Sequence, residues 1–258
     1  MKDFIHEFWE EQARQHGVSH VASWGDNFAI ALEIDTIAQD LKDGDKVLDV
    51  GCANGYSAFE QLGRHRLKKL VGVDFSAAMV ASAREAKAQR GLGEEIEFHE
   101  SDVRMLKFSD ASFDAVYTTR VLINLPNWAE QMQGIRECLR VTRPGGKTIL
   151  SEAFWEPLQL LNAMRTLKQL PPLVEHDFNR YLKKPVLEEF LAGLGLTFRC
   201  EEFSSVYYLG SRFLRDLVTD PAAWPGYSNP VNAAFYELEK RFSGGGFGIQ
   251  QAYVIDKP

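Results

Sequence analysis

The 258-residue sequence predicts an α/β protein: a doubly wound, mostly parallel sheet of about seven strands whose last strand runs antiparallel. Three observations carry this. From Lys46 to Phe154, short apolar runs alternate with stretches at helical spacing, the pattern of right-handed strand–helix–strand crossovers. The apolar runs, such as KVLDV and KLVGVD, are too apolar for one-sided exposure, as in a parallel sheet covered on both faces. The chain closes on GFGIQQAYVIDKP, a strand pattern that reads as the antiparallel partner of the strand pattern before it.

Phe4, Ile5, Phe8 and Trp9 recur at helical spacing, so residues 3 to 16 read as an amphipathic helix. Asp26 caps a second helix running to about Leu41, with Ile30, Ile34, Ile37 and Leu41 on one face; KDGD then turns the chain. KVLDV is the first strand, GYSAFEQLG a helix closed by Gly63, and KLVGVD the second strand. Ser76 caps the helix SAAMVASAREAKAQRG, and Gly91 ends it. IEFHESD and SFDAVYTT are the third and fourth strands. NWAEQMQGIRECLRVTRPGG is a helix stopped by Pro144 and two glycines, and KTILSEAF is the fifth strand. After Glu152 the rhythm breaks. Residues 154 to 184 are too long for a simple crossover and read as a helical insertion over one end of the sheet. PVLEEFLAGLG is again a helix, LTFRCEEFSSVYYL a strand, and residues 210 to 243 hold further helix with a Pro/Trp/Gly interruption.

Composition narrows the functional classes. The chain is 45% hydrophobic and 25% charged, ordinary for a globular protein. A net charge of -7 speaks against a nucleic-acid partner, which needs a basic face. The one basic run, RHRLKK at 64–69, reads as a solvated connection. Cys52, Cys138 and Cys200 form no CxxC pair, so neither a disulfide framework nor a zinc knuckle is expected. The N-terminal run is too charged for a signal peptide, and no stretch approaches the roughly 18 apolar residues of a membrane span. The expectation is a cytoplasmic protein without a membrane partner, as a monomer or homodimer.

The informative stretch is VLDVGCANGYSA, residues 47–58. In an open parallel sheet, ligands bind outside the carboxyl ends of the strands, where strand order reverses. The first strand delivers Gly51, Ala53 and Gly55 to that place. Small residues there let the backbone approach a ligand, and the next helix presents free N–H groups. The turn lacks the Lys-Ser/Thr of a phosphate loop and the GxGxxG spacing of a dinucleotide fingerprint. An NAD-dependent oxidoreductase on a similar sheet is therefore the weaker reading. Asp74, at the end of the second strand, can accept both hydroxyls of a ribose. A nucleotide-like cofactor follows.

Four stretches in register, VLDVGCANGYSA, LVGVDFSAAMVASAR, ESDVRMLKFSDASFDAVYTTRVLINLP and LRVTRPGGKTILSE, resemble the class I S-adenosylmethionine-dependent methyltransferases. The likeness is strong over residues 46 to 152 and loose to residue 258. It implies one Rossmann-like domain over 1–258. Residues 1–44 would be an N-terminal helical lid, 45–152 the cofactor-binding half, and 153–185 and 207–245 acceptor-side cap elements. It implies S-adenosyl-L-methionine as cofactor, converted to S-adenosyl-L-homocysteine. Asp49 and the turn of Gly51, Cys52, Ala53 and Gly55 would hold its methionyl and ribose parts, and Asp74 the ribose hydroxyls. Phe75 and Met79 would lie against adenine, Asp102 would accept from its amino group, and the Val103 N–H would meet a ring nitrogen. The backbone around Arg120 would face the methionine amino group. Two positions depart from the pattern. The middle glycine of the turn is Ala53, and a frequent His-His pair after the fourth strand is Ile123-Asn124.

The expected reaction is methyl transfer to a hydroxyl or amine of a small molecule by in-line displacement. A base is needed only if the nucleophile arrives protonated. Glu152, just beyond the fifth strand, and His176, in the insertion, are the candidate catalytic groups. Asn124, Asn179, Tyr208 and Arg212 are the candidate acceptor-lining residues. Among Trp9, Trp24 and Phe28, the turn-like SWGD makes Trp24 the better lid over the methionine end, where a ring face favours a sulfonium. Glu152, Glu175 and Asp177 have no diagnostic metal spacing, and no metal is expected. The alternative to catalysis is a module that keeps the cofactor pocket without turnover.

Overall fold

A computed structural model describes residues 2–220 and 222–258. Among the described residues, seven strands form one sheet: β1 Lys46–Val50, β2 Lys69–Asp74, β3 Ile96–Glu100, β4 Phe113–Thr119, β5 Thr142–Ala153, β6 Thr197–Glu201 and β7 Gln250–Asp256. Their order across the sheet is β3-β2-β1-β4-β5-β7-β6. The first five pair in parallel, while β7 runs antiparallel between β5 and β6. The expected doubly wound sheet with an antiparallel last strand is therefore the one that forms.

The helices are α1 Lys2–His16, α2 Asn27–Ala38, α3 Tyr56–Arg64, α4 Ala77–Gln89, α5 Trp128–Val141, α6 Trp155–Leu167, α7 Lys184–Gly193, α8 Ser205–Leu209, α9 Arg215–Val218 and α10 Pro230–Glu239. Side-chain caps fix several starts: Asp26 accepts from the Ala29 N–H, Ser76 from Met79 and Asn127 from Glu130. Alternation along the strands splits the core into two layers. Val47, Leu70, Ala115, Ile149 and Val254 pack with α2, α3, α4 and α6, while Leu48, Val71, Val116, Leu150 and Ile255 pack with α5 and α7.

Three local expectations fail. The second helix stops at Ala38, short of Leu41. α5 ends at Val141, and TRPGG already belongs to β5, with Thr142 opposite Phe113. The register then slips before Lys147 meets Ala115. Gly146 serves that irregularity, because a Cβ there would stand 2.5 Å from the Asp114 carbonyl oxygen. The third failure is SSVYYL. β6 stops at Glu201 and Ser205–Leu209 is helix, because the Glu239 carboxylate of α10 accepts the Tyr207 N–H at 2.7 Å and caps its first turn. The aromatic pattern favours a strand, but a distant acid decides for a helix.

Crossovers from β1 build outward to β2 and β3; the chain then returns to the other side of β1 for β4 and β5. That reversal opens a crevice beyond the carboxyl ends of β1 and β4. The insertion after β5 packs back on the sheet edge and on the turn after β4: Phe154 bridges Leu182, and the Arg180 N–H donates to the Ile123 carbonyl. Among the described residues, no helix is long and apolar enough to cross a membrane.

Gly51 opens the turn after β1 at φ +76°, and a Cβ there would stand 1.9 Å from Cγ2 of Val121. Packing within the chain is thus enough to keep this position bare. Gly51→Ala is expected to destabilise by about 2–4 kcal/mol, combining left-handed strain and overpacking. The loss should appear as a lower denaturation midpoint at unchanged slope.

Candidate active site

A cavity of about 450 Å³ occupies the crevice. Its walls come from the ends of three neighbouring strands: Asp74 and Phe75 after β2, Gly51 to Asn54 after β1, and Thr119 to Val121 after β4. Ser101 to Arg104 after β3 continue one side, and Ile5, His6 and Trp9 of α1 supply another.

Asp74 is the pivot. Its two oxygens accept the N–H groups of Ala53 and Ser76, both at 2.9 Å, so one carboxylate joins the glycine turn to the start of α4. Burial pushes its pKa up to about 6 in spite of those donors. Ala53 takes φ +45° to present its N–H, a left-handed conformation at the position where the family turn has glycine. Phe75 and Met79 line the cavity beside Asp74, as do Cys52 and Val103. Cys52 is buried, and burial raises its thiol well above the usual range, which makes it a spacer.

Asp49 and Gly55 do not line the cavity. Asp49 lies opposite Tyr117 in the sheet, one layer beneath the turn. Its carboxylate is fully buried with both oxygens unpartnered, and burial pushes it up to about 8, partly offset by the nearby Tyr117 hydroxyl. Gly55 caps α3 at φ +81°, against the rings of Phe98 and Phe59.

Asp102 lines the cavity and holds Arg104: its Oδ1 accepts the Arg104 backbone N–H at 2.9 Å and Nε at 2.8 Å. The same guanidinium pairs with Glu130, which also lines the cavity. Neither Arg104 nor Glu130 carries a sequence signal, because the pairing joins a loop after β3 to α5.

The N-terminal segment covers the cavity, but by a different tryptophan from the expected one. Trp9 lines it, with Ile5 and His6. Trp24 does not; its ring lies under the Arg120 guanidinium, 4.7 Å from centroid to carbon. Glu10 fastens α1, accepting from the Ser76 hydroxyl at 2.7 Å and the Ala78 N–H at 3.2 Å. Asn54 fastens the following turn, its Nδ2 donating to the carbonyls of Gly17 and Ser19 at 2.9 and 2.6 Å.

The expected catalytic and acceptor groups are mostly elsewhere. Glu152 is fully buried and does not line the cavity. Its oxygens accept from the Thr118 hydroxyl and the N–H groups of Val121, Leu122 and Ile123 at 2.8 to 3.3 Å. Burial pushes it up to about 7. It organises the turn after β4. His176 is exposed and packs its ring on Phe178 and Phe8, away from the cavity wall. Asn179 lies in the same loop, its N–H bonded to the His176 carbonyl. Tyr208 and Arg212 do not line the cavity: Arg212 pairs with Asp26 and stacks over Tyr208 and Tyr227. Only Asn124 of the four acceptor candidates lines the cavity.

Among the described residues, four that line the cavity carry a buried polar atom without a hydrogen-bond partner: Ser101 Oγ, Asn54 Oδ1, Asn124 Oδ1 and Arg120 Nε. Such atoms are costly unless a ligand meets them. A wall that mixes Phe75, Met79 and Val103 with these polar atoms and Asp74 fits a nucleoside bearing an amino-acid arm.

The Methyltransferase domain family matches residues 47–146. Ubiquinone biosynthesis O-methyltransferase of Alkalilimnicola ehrlichii is 30% identical over 174 residues, 65% of this chain and 68% of that protein. The chain belongs to the class I S-adenosylmethionine-dependent methyltransferase superfamily. S-adenosyl-L-methionine is that superfamily's cofactor. Another relative, 27-O-demethylrifamycin SV methyltransferase of Amycolatopsis mediterranei, is 28% identical over 162 residues, 60% of this chain and 56% of that protein. The chain spans about half the length of such curated relatives. The fold matches the solved structure of the [4+2]-cyclase SpnF with a TM-score of 0.59 and 24% identity, over 89% of this chain and 81% of that one.

Glu152→Ala leaves three buried N–H groups without their acceptor and is expected to cost about 3–5 kcal/mol of stability. Glu152→Gln keeps one acceptor oxygen and should cost less. Chemical denaturation of both variants checks the order; a Gln variant of full stability would contradict the assignment of Glu152 to the turn.

Proposed function

We propose that this chain transfers the methyl group of S-adenosyl-L-methionine to a hydroxyl or amine of a small organic molecule by in-line displacement. The observation that carries it is the Asp74 carboxylate, fixed by two loop N–H groups at the edge of a cavity lined by Phe75, Met79 and Val103. Asp74 accepts the ribose hydroxyls. Phe75 and Met79 flank the adenine, Asp102 meets its amino group while holding Arg104, and the Val103 N–H meets a ring nitrogen. The turn from Gly51 to Ala53 supports the amino-acid arm. When bound, the cofactor supplies a methyl group already activated by its sulfonium. The protein supplies position and a dry site, the latter through Trp9 and α1.

The acceptor approaches past Asn124 on the turn after β4, under the cap elements at 153–185 and 207–245. Two relatives carry an oxygen acceptor in their names and others a carbon one, so the oxygen reading rests on the first group alone. His176 and Glu152 stand off the cavity wall, which favours acceptors that shed a proton readily, such as phenols. The same observation favours a second reading, a cofactor-binding protein without methyl transfer. Unpaired Cys52, Cys138 and Cys200 suit a reducing, cytoplasmic setting.

Titration calorimetry should show micromolar binding of S-adenosyl-L-homocysteine and none of NAD. Incubation with methyl-labelled cofactor and a panel of phenols, alcohols and amines should then transfer label to an oxygen or nitrogen. Absence of binding refutes the reading; tight binding with no labelled product in any class supports the second one.

The grip on the ribose also sets a pH dependence. Asp74 titrates near 6 in the free protein, and only its ionised form accepts two hydroxyls. Binding therefore favours the carboxylate and releases a proton where Asp74 is protonated. Affinity for S-adenosyl-L-homocysteine is expected to be level above that value and to fall about tenfold per pH unit well below it. Calorimetry across acidic pH checks the slope, which Asp74→Asn should abolish together with most of the affinity.

A further inference from the structure

We infer that the Arg120 side chain is the clamp for the carboxylate of the cofactor's amino-acid arm, with Trp24 and Glu33 acting as its supports. The inference rests on the proposed cofactor pose and assigns a side-chain role where only a backbone contact was expected.

Arg120 follows β4 directly and adopts φ +57°, a left-handed conformation that its own Cβ disfavours. The backbone is held there from both sides. Its N–H donates to the Ser151 carbonyl at 2.8 Å, and its carbonyl accepts Asn124 Nδ2 at 2.7 Å. The guanidinium is held as firmly. One face lies over the Trp24 ring, and a terminal nitrogen stands 3.5 Å from the buried Glu33 carboxylate, whose other oxygen takes the Ser151 hydroxyl. The side chain keeps 15% of its surface accessible, on a residue that lines the cavity, and its Nε is a buried donor with no acceptor. A guanidinium carries its donors in a rigid planar fork that suits a carboxylate.

Position selects which anion arrives. Across the sheet the order is β2, β1, β4, so Arg120 stands two strands from Asp74. That is about 10 Å at normal strand spacing. A nucleoside whose ribose sits on Asp74 must run its 5′ arm across the glycine turn of β1 toward Arg120. The other arginine on the wall, Arg104, is hydrogen-bonded to two carboxylates, Asp102 and Glu130, whereas Arg120 has only the looser 3.5 Å pair with Glu33. The arm's carboxylate therefore meets Arg120.

Truncating the ligand tests this. S-adenosyl-L-homocysteine carries the carboxylate; 5′-methylthioadenosine keeps the nucleoside and sulfur without it. Arg120→Met should weaken S-adenosyl-L-homocysteine about 10- to 100-fold by calorimetry and leave 5′-methylthioadenosine within about twofold. Arg120→Lys, which keeps the charge without the fork, should recover part of the loss. Retained 5′-methylthioadenosine binding also shows that the variant is folded. Equal losses for both ligands, or no loss for either, overturn the inference and leave the cofactor reading standing. A wild-type protein that binds neither ligand removes that reading itself.

Discussion

The carboxylate of Asp74 is shared between two loops, and the rest of the site is arranged around that sharing. The turn after β1 and the start of α4 meet on one side chain, through Ala53 and Ser76. Burying an acid there is unfavourable, as its raised pKa shows, and two backbone donors offset only part of the cost. Glu10 brings a third segment to the same helix start through Ser76 and Ala78. The turn after β1, the start of α4 and the N-terminal cover are thus tied at one point. A crevice with edges fixed in this way loses less conformational freedom on binding than one formed by loose loops.

What the sequence disclosed follows from how local each signal is. The alternation of strand and helix, the switch point, the Ser76 cap and the acid at the end of β2 are all written within a few residues. The helix at Ser205–Leu209 is not, because Glu239 decides it from more than thirty positions away. Nor is the early start of β5, which depends on Thr142 finding Phe113. Trp24 and Trp9 are both aromatic residues near helix ends, and only the packing of α1 against α4 shows which of them meets the cavity. Arg104 and Glu130 were invisible for the same reason: a pair made across 26 positions leaves no spacing to read.

Three strand-end acids show the limit most clearly. Asp49, Asp74 and Glu152 are alike in type, burial and place in their strands. Asp74 reaches the cavity edge, Asp49 sits a layer below beside Tyr117, and Glu152 turns beneath the loop after β4. Asp49 lies opposite Gly72, two residues before Asp74, so these two acids take the same face of the sheet and differ in height along it, while Glu152, next to the Ser151 that lies opposite Thr119, takes the other face. Sequence locates such an acid along its own strand without fixing the stagger between strands that sets its height. Burial raises all three, so a raised pKa alone does not identify the one that binds.

The distribution of these bonds also decides which side of the cavity can give way. On the β4 side, the N–H groups of residues 121 to 123 go to Glu152. The carbonyls of Leu122 and Ile123 go to Gln131 and to the Arg180 N–H, and Gln131 holds the Arg180 carbonyl as well. Moving that turn would expose a buried acid and several backbone groups together. On the opposite side, α1 buries only Ile5 and Ala13 among its apolar residues, and two polar fastenings, Glu10 and Asn54, secure the segment. Local opening takes the route with the fewest buried contacts. The N-terminal cover is therefore the side held by the fewest buried contacts, while the turn carrying Arg120 and Asn124 is the more firmly fixed wall.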